Sequence, residues 1–376
     1  MSGGVDSSVA AALLLEQGFD VVGCFMRLGS PGDTLADSES CDTGPTRIGR
    51  GCCSVGDAAD ARQVAATLGI PFYVCNFRDE FARIMDYFAA EYAAGRTPNP
   101  CVRCNDWLKF GKLRAFARTL GIDRIASGHY ARVERRDDRC RLLRGLDHNK
   151  DQSYVLFGVE QTHLEHMMLP IGAMRKADVR ARAHELGLVV HDKPDSQEIC
   201  FVPDGDYASL VEQRRPDTRR TGQIRDMQGR VLGSHDGQHR FTVGQRRGLG
   251  VALGYPIYVV HKDPCTNTVI VGGADDLGAD ACIAGEANWF IDPFEGWRRC
   301  YAQHRYNSPA VPARVRQIAP GSDRTYSRRN ARFEVRFDEP ERAVTEGQAI
   351  VLYDRDHPEV VLGGGWIETV ERMVRR

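Results

Sequence analysis

The sequence predicts an N-terminal α/β domain on a parallel, Rossmann-like sheet (residues 1–204), a small, mostly β central domain (205–280) and a C-terminal β-barrel (281–376). Three observations predict it. Up to about residue 190, apolar runs of strand length alternate with segments of helical period, the pattern of βα units in a parallel sheet covered by helices. After about Pro203 the texture changes to short strands separated by glycine turns. From Cys282 onward only strand-like segments and turns remain, as in a small barrel.

The elements follow in order. Val9-Ala-Ala-Ala-Leu-Leu-Leu15 is an apolar helix, and Phe19 to Met26 reads as a buried strand. Asp57 to Leu68 reads as a helix ending at Gly69, and Ile70 to Phe77 as a second strand. Phe81, Ile84, Met85, Phe88 and Tyr92 fall on one helical face. Leu108 to Leu120 reads as a helix and Arg124 to Ser127 as a short strand. Between Gly29 and Gly56 lies a Gly/Ser/Asp-rich stretch without periodicity, expected to be a mobile loop. Gly222 to Gly233, Tyr258–Val260 and Thr268–Val271 supply the central strands; Ala310–Ile318, Ala331–Phe337, Ala349–Tyr353 and Val360–Leu362 supply the barrel.

The chemistry begins at residue 1. In Met1-Ser-Gly-Gly-Val-Asp-Ser-Ser8, Gly3 and Gly4 let the backbone approach an anion, and Asp6, Ser7 and Ser8 are good N-caps for the following helix. Free N–H groups and the helix dipole then face a phosphate. The loop lacks the lysine of a Walker motif and the spacing of a dinucleotide fingerprint. Ser2-Gly-Gly-Val-Asp-Ser7 instead resembles the PP-loop of the N-type ATP pyrophosphatases, which cleave ATP between its α- and β-phosphates and adenylate an acceptor oxygen.

Composition narrows the class. The 376 residues are 42% apolar and 27% charged, ordinary for a soluble cytosolic protein, with no signal peptide or long apolar run. A formal net charge of −1 excludes a uniformly basic surface, so nucleic acid would have to meet local patches such as Arg214-Arg215, Arg219-Arg220, Arg246-Arg247 and Arg298-Arg299. Twelve cysteines in such a chain are expected to be reduced, metal-binding or catalytic rather than a disulfide framework.

Two cysteine motifs stand out. Cys101-Val-Arg-Cys104 has the spacing of a zinc half-site or a redox pair. No second pair completes a zinc site, and Pro98 and Pro100 place the motif in a rigid loop. Asn105 or Asp106 is then expected to cap the next helix, leaving Cys104 near its N-terminus, where a thiolate is favoured. In Asp195-Ser-Gln-Glu-Ile-Cys200-Phe201, Cys200 by itself reads as a buried structural cysteine; with the other motifs the reading reverses.

Together these motifs resemble the tRNA-specific 2-thiouridylases, which place sulfur on C2 of the wobble uridine of tRNA. The resemblance rests on the PP-loop, Gly95-Arg-Thr-Pro-Asn-Pro-Cys101-x-x-Cys104-Asn105, Ser127-Gly-His-Tyr130, Gly145-Leu-Asp-x-Asn-Lys-Asp-Gln-Ser-Tyr154, Asp195-Ser-x-x-Ile-Cys-Phe201, Thr242-Val-Gly-Gln-Arg-x-Gly-Leu-Gly250 and Leu362-Gly-Gly-Gly-x-Ile367. They span nearly the whole chain.

The resemblance implies ATP and Mg2+ as cofactors, tRNA and a sulfur-relay donor protein as partners, a cytoplasmic monomer, and no membrane. It implies Cys200 as carrier of the persulfide and Cys104 as second catalytic thiol, with a Cys104–Cys200 disulfide as by-product. Met1, Ser2, Gly3, Gly4, Val5, Asp6, Ser7, Met26 and Gly128 match ATP-binding positions, Asp6 also facing the magnesium. Asn99, Pro100 and Cys101 match the segment that meets the target base; His129, Lys150, Asp151, Gln152, Arg305, Tyr306 and Gln348 match tRNA-contacting positions. Tyr130 is a candidate for stacking on an exposed base.

Two other readings compete: another adenylating enzyme of the PP-loop superfamily, such as an amidotransferase or ligase, which needs no cysteine pair, and a non-catalytic RNA- or metal-binding protein. A variant of the first reading has Cys101, Cys104 and Cys200 hold an iron–sulfur cluster. The resemblance also implies a short apolar strand before Ser2. The chain is therefore expected to begin at an internal methionine of a longer product and to lack a central strand, which would expose neighbouring edges and unanchor the loop.

Overall fold

The computed structural model describes residues 1–29, 55–136, 139–195, 199–202, 205–318 and 331–372. These fall into two compact units. The first comprises Met1–Ile84, Cys104–Ser153 and Thr162–Asp206; the second comprises Met85–Arg103, Tyr154–Gln161 and Tyr207–Arg376. The Gly29–Gly56 stretch lies almost wholly outside the described residues.

The first unit is α/β. Helix α1 (Val5–Glu16) carries alanine, valine and leucine on nearly all sides and is correspondingly buried, with Val9 fully enclosed. It packs against α2 (Val55–Leu68) and α8 (Lys176–Glu185). Val64, Val179, Ile171 and Leu188 fill the space around Val9. Each such side chain contributes about 1.5–3 kcal/mol by leaving water, so a charge at Val9 would open this core.

Strands β1 (Gly23–Arg27) and β2 (Phe72–Asn76) pair in parallel, with Gly23 opposite Phe72. A second parallel pair joins β3 (Ile125–Ala126) to β6 (Met167–Met168). Among the described residues the parallel sheet thus consists of two pairs. Met1 N donates to Cys24 O on β1, while Gly128, just after β3, lies against the backbone of Asp6. The expected strand at Phe19–Met26 starts only at Gly23, because Phe19 and Val22 remain more than a third exposed. Helix α3 (Arg78–Ala93) buries the predicted face, and the division between units falls within it. An antiparallel hairpin, β4 (Ala131–Arg136) and β5 (Arg139–Arg144), completes this unit's strands.

The cysteine motif departs from its expected setting. A turn of helix, α4 (Pro100–Arg103), runs directly into a π-helix at Cys104–Lys112 and then α5 (Leu113–Thr119). Pro100 presets the backbone for a first helical residue, and Asn99 Oδ1 accepts from Val102 N at 3.4 Å. The helix therefore starts before Cys101, and Asn105 and Asp106 lie inside it instead of capping it. Single-turn helices α6 (Ser153–Leu156) and α7 (Gln161–Leu164) follow.

The second unit is mostly β. After α9 (Tyr207–Arg214), strands β7 (Gly222–Asp226), β8 (Val231–His235), β9 (Tyr258–Asp263) and β10 (Thr268–Gly272) form a sheet in the order β8-β7-β10-β9. Val259, Val269 and Val271 lie in its core. The closed barrel runs β11 (Gly278–Trp289), β14 (Arg332–Arg342), β13 (Val311–Ile318), β12 (Arg298–Gln303), β15 (Ala349–Asp354), β16 (Val361–Arg372). Alternate residues such as Cys300, Ala302, Val315, Val335 and Ile350 fill its interior.

Candidate active site

The loop at the start of the chain is built by close backbone approach. Gly3 has φ +70°, and a Cβ there would come within 2.3 Å of Asp57 O. A Cβ on Gly128 would lie 2.5 Å from Asp6 C and 2.6 Å from Ser7 N. Only glycine fits either place.

Helix α1 starts at Val5, so its N-cap is Gly4, which supplies no side-chain acceptor. This corrects the expectation that Asp6, Ser7 or Ser8 caps the helix. Ser7 and Ser8 turn their hydroxyls back to Gly4 O at 3.2 and 2.9 Å, and Ser2 N donates to Ser7 Oγ at 3.1 Å. The first N–H groups of the helix are left without intrahelical partners, the arrangement that suits a phosphate oxygen.

Asp6 is held from two sides. Tyr130 OH donates to it at 2.8 Å, and Lys176 Nζ reaches both its oxygens at 2.8 and 2.9 Å. Lys176 also lies 2.8 Å from Asp195, which accepts from Lys150 and Arg180 at 2.9 Å each. Partial burial opposes ionisation of Asp195, but Lys176 and Lys150 hold its carboxyl down at about 2. Lys193 Nζ donates to Gly3 O at 2.9 Å and to Asp57 and Asp60 at 2.6 Å each. Burial works against its charge, and the two carboxylates raise its pKa above the ordinary lysine value. One ionic network therefore joins the loop to the segment leading into Cys200.

Sequence reasoning missed Lys176 and Lys193. Neither lies in a recognisable motif. Lys176 is 9% exposed at the first turn of α8, where a lysine would normally read as solvated.

The predicted positions of the first unit occupy distinct places. Met26 lies on β1, half-buried. His129 is buried, its Nδ1 2.7 Å from Ser127 Oγ; burial and Lys109 push its pKa well below the usual value, so it is neutral. Asp151 accepts from Gly145 N and Ser153 N at 3.0 Å each and from Arg144 at 3.1 Å, while Gln152 brackets the backbone of Tyr130. Tyr130 itself is 2% exposed and bound to Asp6, which removes it as a stacking platform.

Cys104 opens the π-helix, and Cys200 is half-buried beside Phe201, whose ring packs edge-on against Phe81 at 5.6 Å. Burial pushes the thiols of Cys24, Cys282 and Cys300 up to about 12, which disqualifies them as nucleophiles near neutral pH. Among the described residues, no group of three His, Cys, Asp or Glu side chains is gathered to hold a metal ion.

In the second unit a different group gathers around Thr97 and Pro98, just before Asn99. Gln348 Nε2 donates to Thr97 O at 3.1 Å and Pro98 O at 3.4 Å. Tyr154 OH donates to Ala349 O at 2.9 Å, and its ring lies 6.0 Å from that of Tyr306. Arg305 spends Nη2 on Val243 O, Ala343 O and Thr345 Oγ1, while burial lowers its pKa. Arg103, between the two motif cysteines, is 5% exposed: it forks onto Glu286 at 2.8 and 2.9 Å and lies 4.1 Å over the Trp366 ring. Glu286 adopts a left-handed φ of 48° to meet it.

Comparison with known proteins identifies the family. Residues 1–204 match the family described as the tRNA methyl transferase HUP domain, 209–273 its PRC-barrel domain, and 279–367 the aminomethyltransferase beta-barrel domain. The tRNA-specific 2-thiouridylase MnmA of Geotalea uraniireducens is 48% identical over 371 residues, covering 98% of this chain and 93% of the relative. The chain belongs to the tRNA-specific 2-thiouridylase family. The 2-thiouridylase of Carboxydothermus hydrogenoformans is 47% identical over 373 residues (98% of this chain, 96% of the relative), and that of Rhodopirellula baltica 44% identical over 388 residues (98% and 94%). Relatives of this kind argue against the amidotransferase or ligase reading and against a non-catalytic binding protein. No helix among the described residues is long and apolar enough to cross a membrane.

Proposed function

We propose that this 2-thiouridylase family member carries out ATP-dependent 2-thiolation of the wobble uridine of tRNA. The observation that carries the reading is Lys176, which ties the loop carboxylate Asp6 to Asp195, five residues before Cys200. That tie supports a reading in which phosphate chemistry and sulfur chemistry act together.

The uracil C2 oxygen is a poor leaving group. It attacks the α-phosphate of ATP, the bond to pyrophosphate breaks, and the oxygen becomes an adenylate. The loop N–H groups from Gly3 to Ser7 bind the departing phosphates, and Lys176 and Lys193 supply positive charge beside them. Met26 and Gly128 line the adenosine. Magnesium entering with ATP would face Asp6 and would neutralise phosphate charge.

The terminal sulfur of a persulfide on Cys200, loaded by a sulfur-relay protein, then attacks C2, and AMP leaves. The Cys104 thiolate next attacks Cys200 Sγ, breaking its bond to the transferred sulfur. This leaves 2-thiouridine and a Cys104–Cys200 disulfide that an external thiol reduces. Asn99, Pro100 and Cys101 meet the target base; His129, Lys150, Asp151, Gln152, Arg305, Tyr306 and Gln348 contact the tRNA. Residues 1–204, 205–280 and 281–376 act as ATP, central tRNA-binding and barrel domains. Incubating the purified chain with ATP, tRNA, a cysteine desulfurase and cysteine, which supplies the persulfide sulfur, should yield 2-thiouridine, AMP and pyrophosphate together; pyrophosphate without 2-thiouridine would refute the reading.

A further inference from the structure

The outer face of the barrel carries a basic, aromatic patch that the reaction above does not use. Trp297 immediately precedes β12, and Arg299 and Tyr301 follow at spacings of two, which places them on the same side of the strand. In the sheet register Arg299 stands opposite Arg314 on β13, and Arg314 opposite Arg336 on β14. Three arginines therefore lie abreast on adjacent strands. Like charges directly opposite are destabilising, so the row needs a reason.

Two carboxylates flank it on β14, Glu334 and Asp338, each two residues from Arg336. Glu334, whose side chain is 12% exposed, accepts from Arg316 at 2.6 Å and Arg336 at 2.7 Å, and Glu371 acts on Arg336 from the far end of the row. Among the described residues, Arg299 and Arg314 pair with no carboxylate. The guanidinium groups of Arg314, Arg316 and Arg336 lie 5.8, 4.7 and 5.7 Å from the centroid of Trp297, which is 38% exposed. An exposed tryptophan set among arginines, on a chain of formal net charge −1, has the composition of a surface that meets a phosphodiester backbone.

Its position separates it from the target-base group. Cys300 pairs with Asp354 at one end of β15, whereas Gln348 and the Tyr154 contact to Ala349 O lie at the other. The six residues from Ala349 to Asp354, five steps along the strand, span about 17 Å.

We propose that Trp297, Arg299, Arg314, Arg316 and Arg336 form a second RNA-binding surface, which grips the substrate tRNA backbone away from the wobble nucleotide. This rests on the reading of tRNA as substrate.

The test compares the full chain with Arg299→Ala/Arg314→Ala and, separately, Trp297→Ala. Affinity for a full-length tRNA transcript is measured over a salt series, and thiolation kinetics are followed in parallel. The double variant should bind tRNA at least fivefold more weakly at low salt, with the slope of log affinity against log salt reduced by about 1–2. Its kcat at saturating tRNA and its melting temperature should hold. Trp297→Ala should weaken binding with the slope intact. Unchanged affinity and slope in both variants would overturn the proposal, as would a fall in kcat at saturating tRNA. If the parent chain binds no tRNA, the substrate reading fails as well, an outcome distinct from a parent that binds and variants that match it.

Discussion

Lys176 donates to both carboxylate oxygens of Asp6, at 2.8 and 2.9 Å, from a position almost entirely shielded from water. The same ammonium lies 2.8 Å from Asp195. A cation so placed balances both carboxylates, and in the proposed reaction it supplies positive charge beside the phosphates.

Replacing Lys176 with methionine should therefore lower the rate of tRNA-dependent pyrophosphate release by about 100-fold, a loss typical of one preorganised electrostatic group. Lys176→Arg should recover part of it. A methionine variant releasing pyrophosphate at the parent rate would remove Lys176 from phosphate chemistry.

Gly128→Ala tests the close approach behind the loop. Its Cβ would press on the Asp6 and Ser7 backbone at 2.5–2.6 Å. Backbone there cannot yield cheaply, so the loop must shift. ATP affinity measured by calorimetry should fall at least tenfold, with the second unit's melting transition unaffected.

Arg103→Ala should destabilise the second unit by about 2–4 kcal/mol in denaturant titration, because it strands Glu286 and uncovers Trp366; partial exposure of Glu286 keeps the cost below that of a fully buried pair. Arg103→Lys should recover little, since a lysine cannot fork onto the carboxylate. A stability equal to the parent would show the pair to be dispensable.

Lys262 gives a pH signature. It is fully buried on β9, donating to Phe241 O at 2.8 Å above the Tyr92 ring, and burial lowers its pKa from 10.5 to about 7. Between those values the unfolded chain holds a proton that the folded chain has released. Stability of the second unit should therefore rise with pH across that window, by up to about 1.4 kcal/mol per pH unit. Melting curves from pH 7 to 9 should show this rise in the parent and a flatter profile in Lys262→Met. Equal slopes would contradict it.

Motifs written contiguously were legible in the sequence. The loop at Ser2–Ser7, the face of α3 and the central strands follow from local spacing and glycine placement. Partners distant in sequence were not: Lys176 with Asp6, Lys193 with Asp57 and Arg103 with Glu286 meet only after folding, and each alone reads as a solvated charge. The π-helix at Cys104–Lys112 escaped because its apolar positions also fit an ordinary helix. Strand β12 escaped because Arg298-Arg-Cys-Tyr-Ala-Gln303 opens on two adjacent charges and buries only the small Cys300 and Ala302 and the polar Gln303, so no apolar run marks it. The expected strand Val360–Leu362 stops before Gly363–Gly365, yet these lie inside β16, where a Cβ on Gly364 or Gly365 would meet the rings of Phe157 or Phe333 at 2.6–2.7 Å.

The central claim is that Cys200 carries the sulfur that reaches uridine. Nucleoside mass spectrometry of tRNA, after reaction with ATP, a cysteine desulfurase and cysteine, tests it most directly. The parent chain should form 2-thiouridine, whereas Cys200→Ser and Cys104→Ser should form none while still binding ATP. Thiolation by Cys200→Ser at the parent rate would contradict the claim.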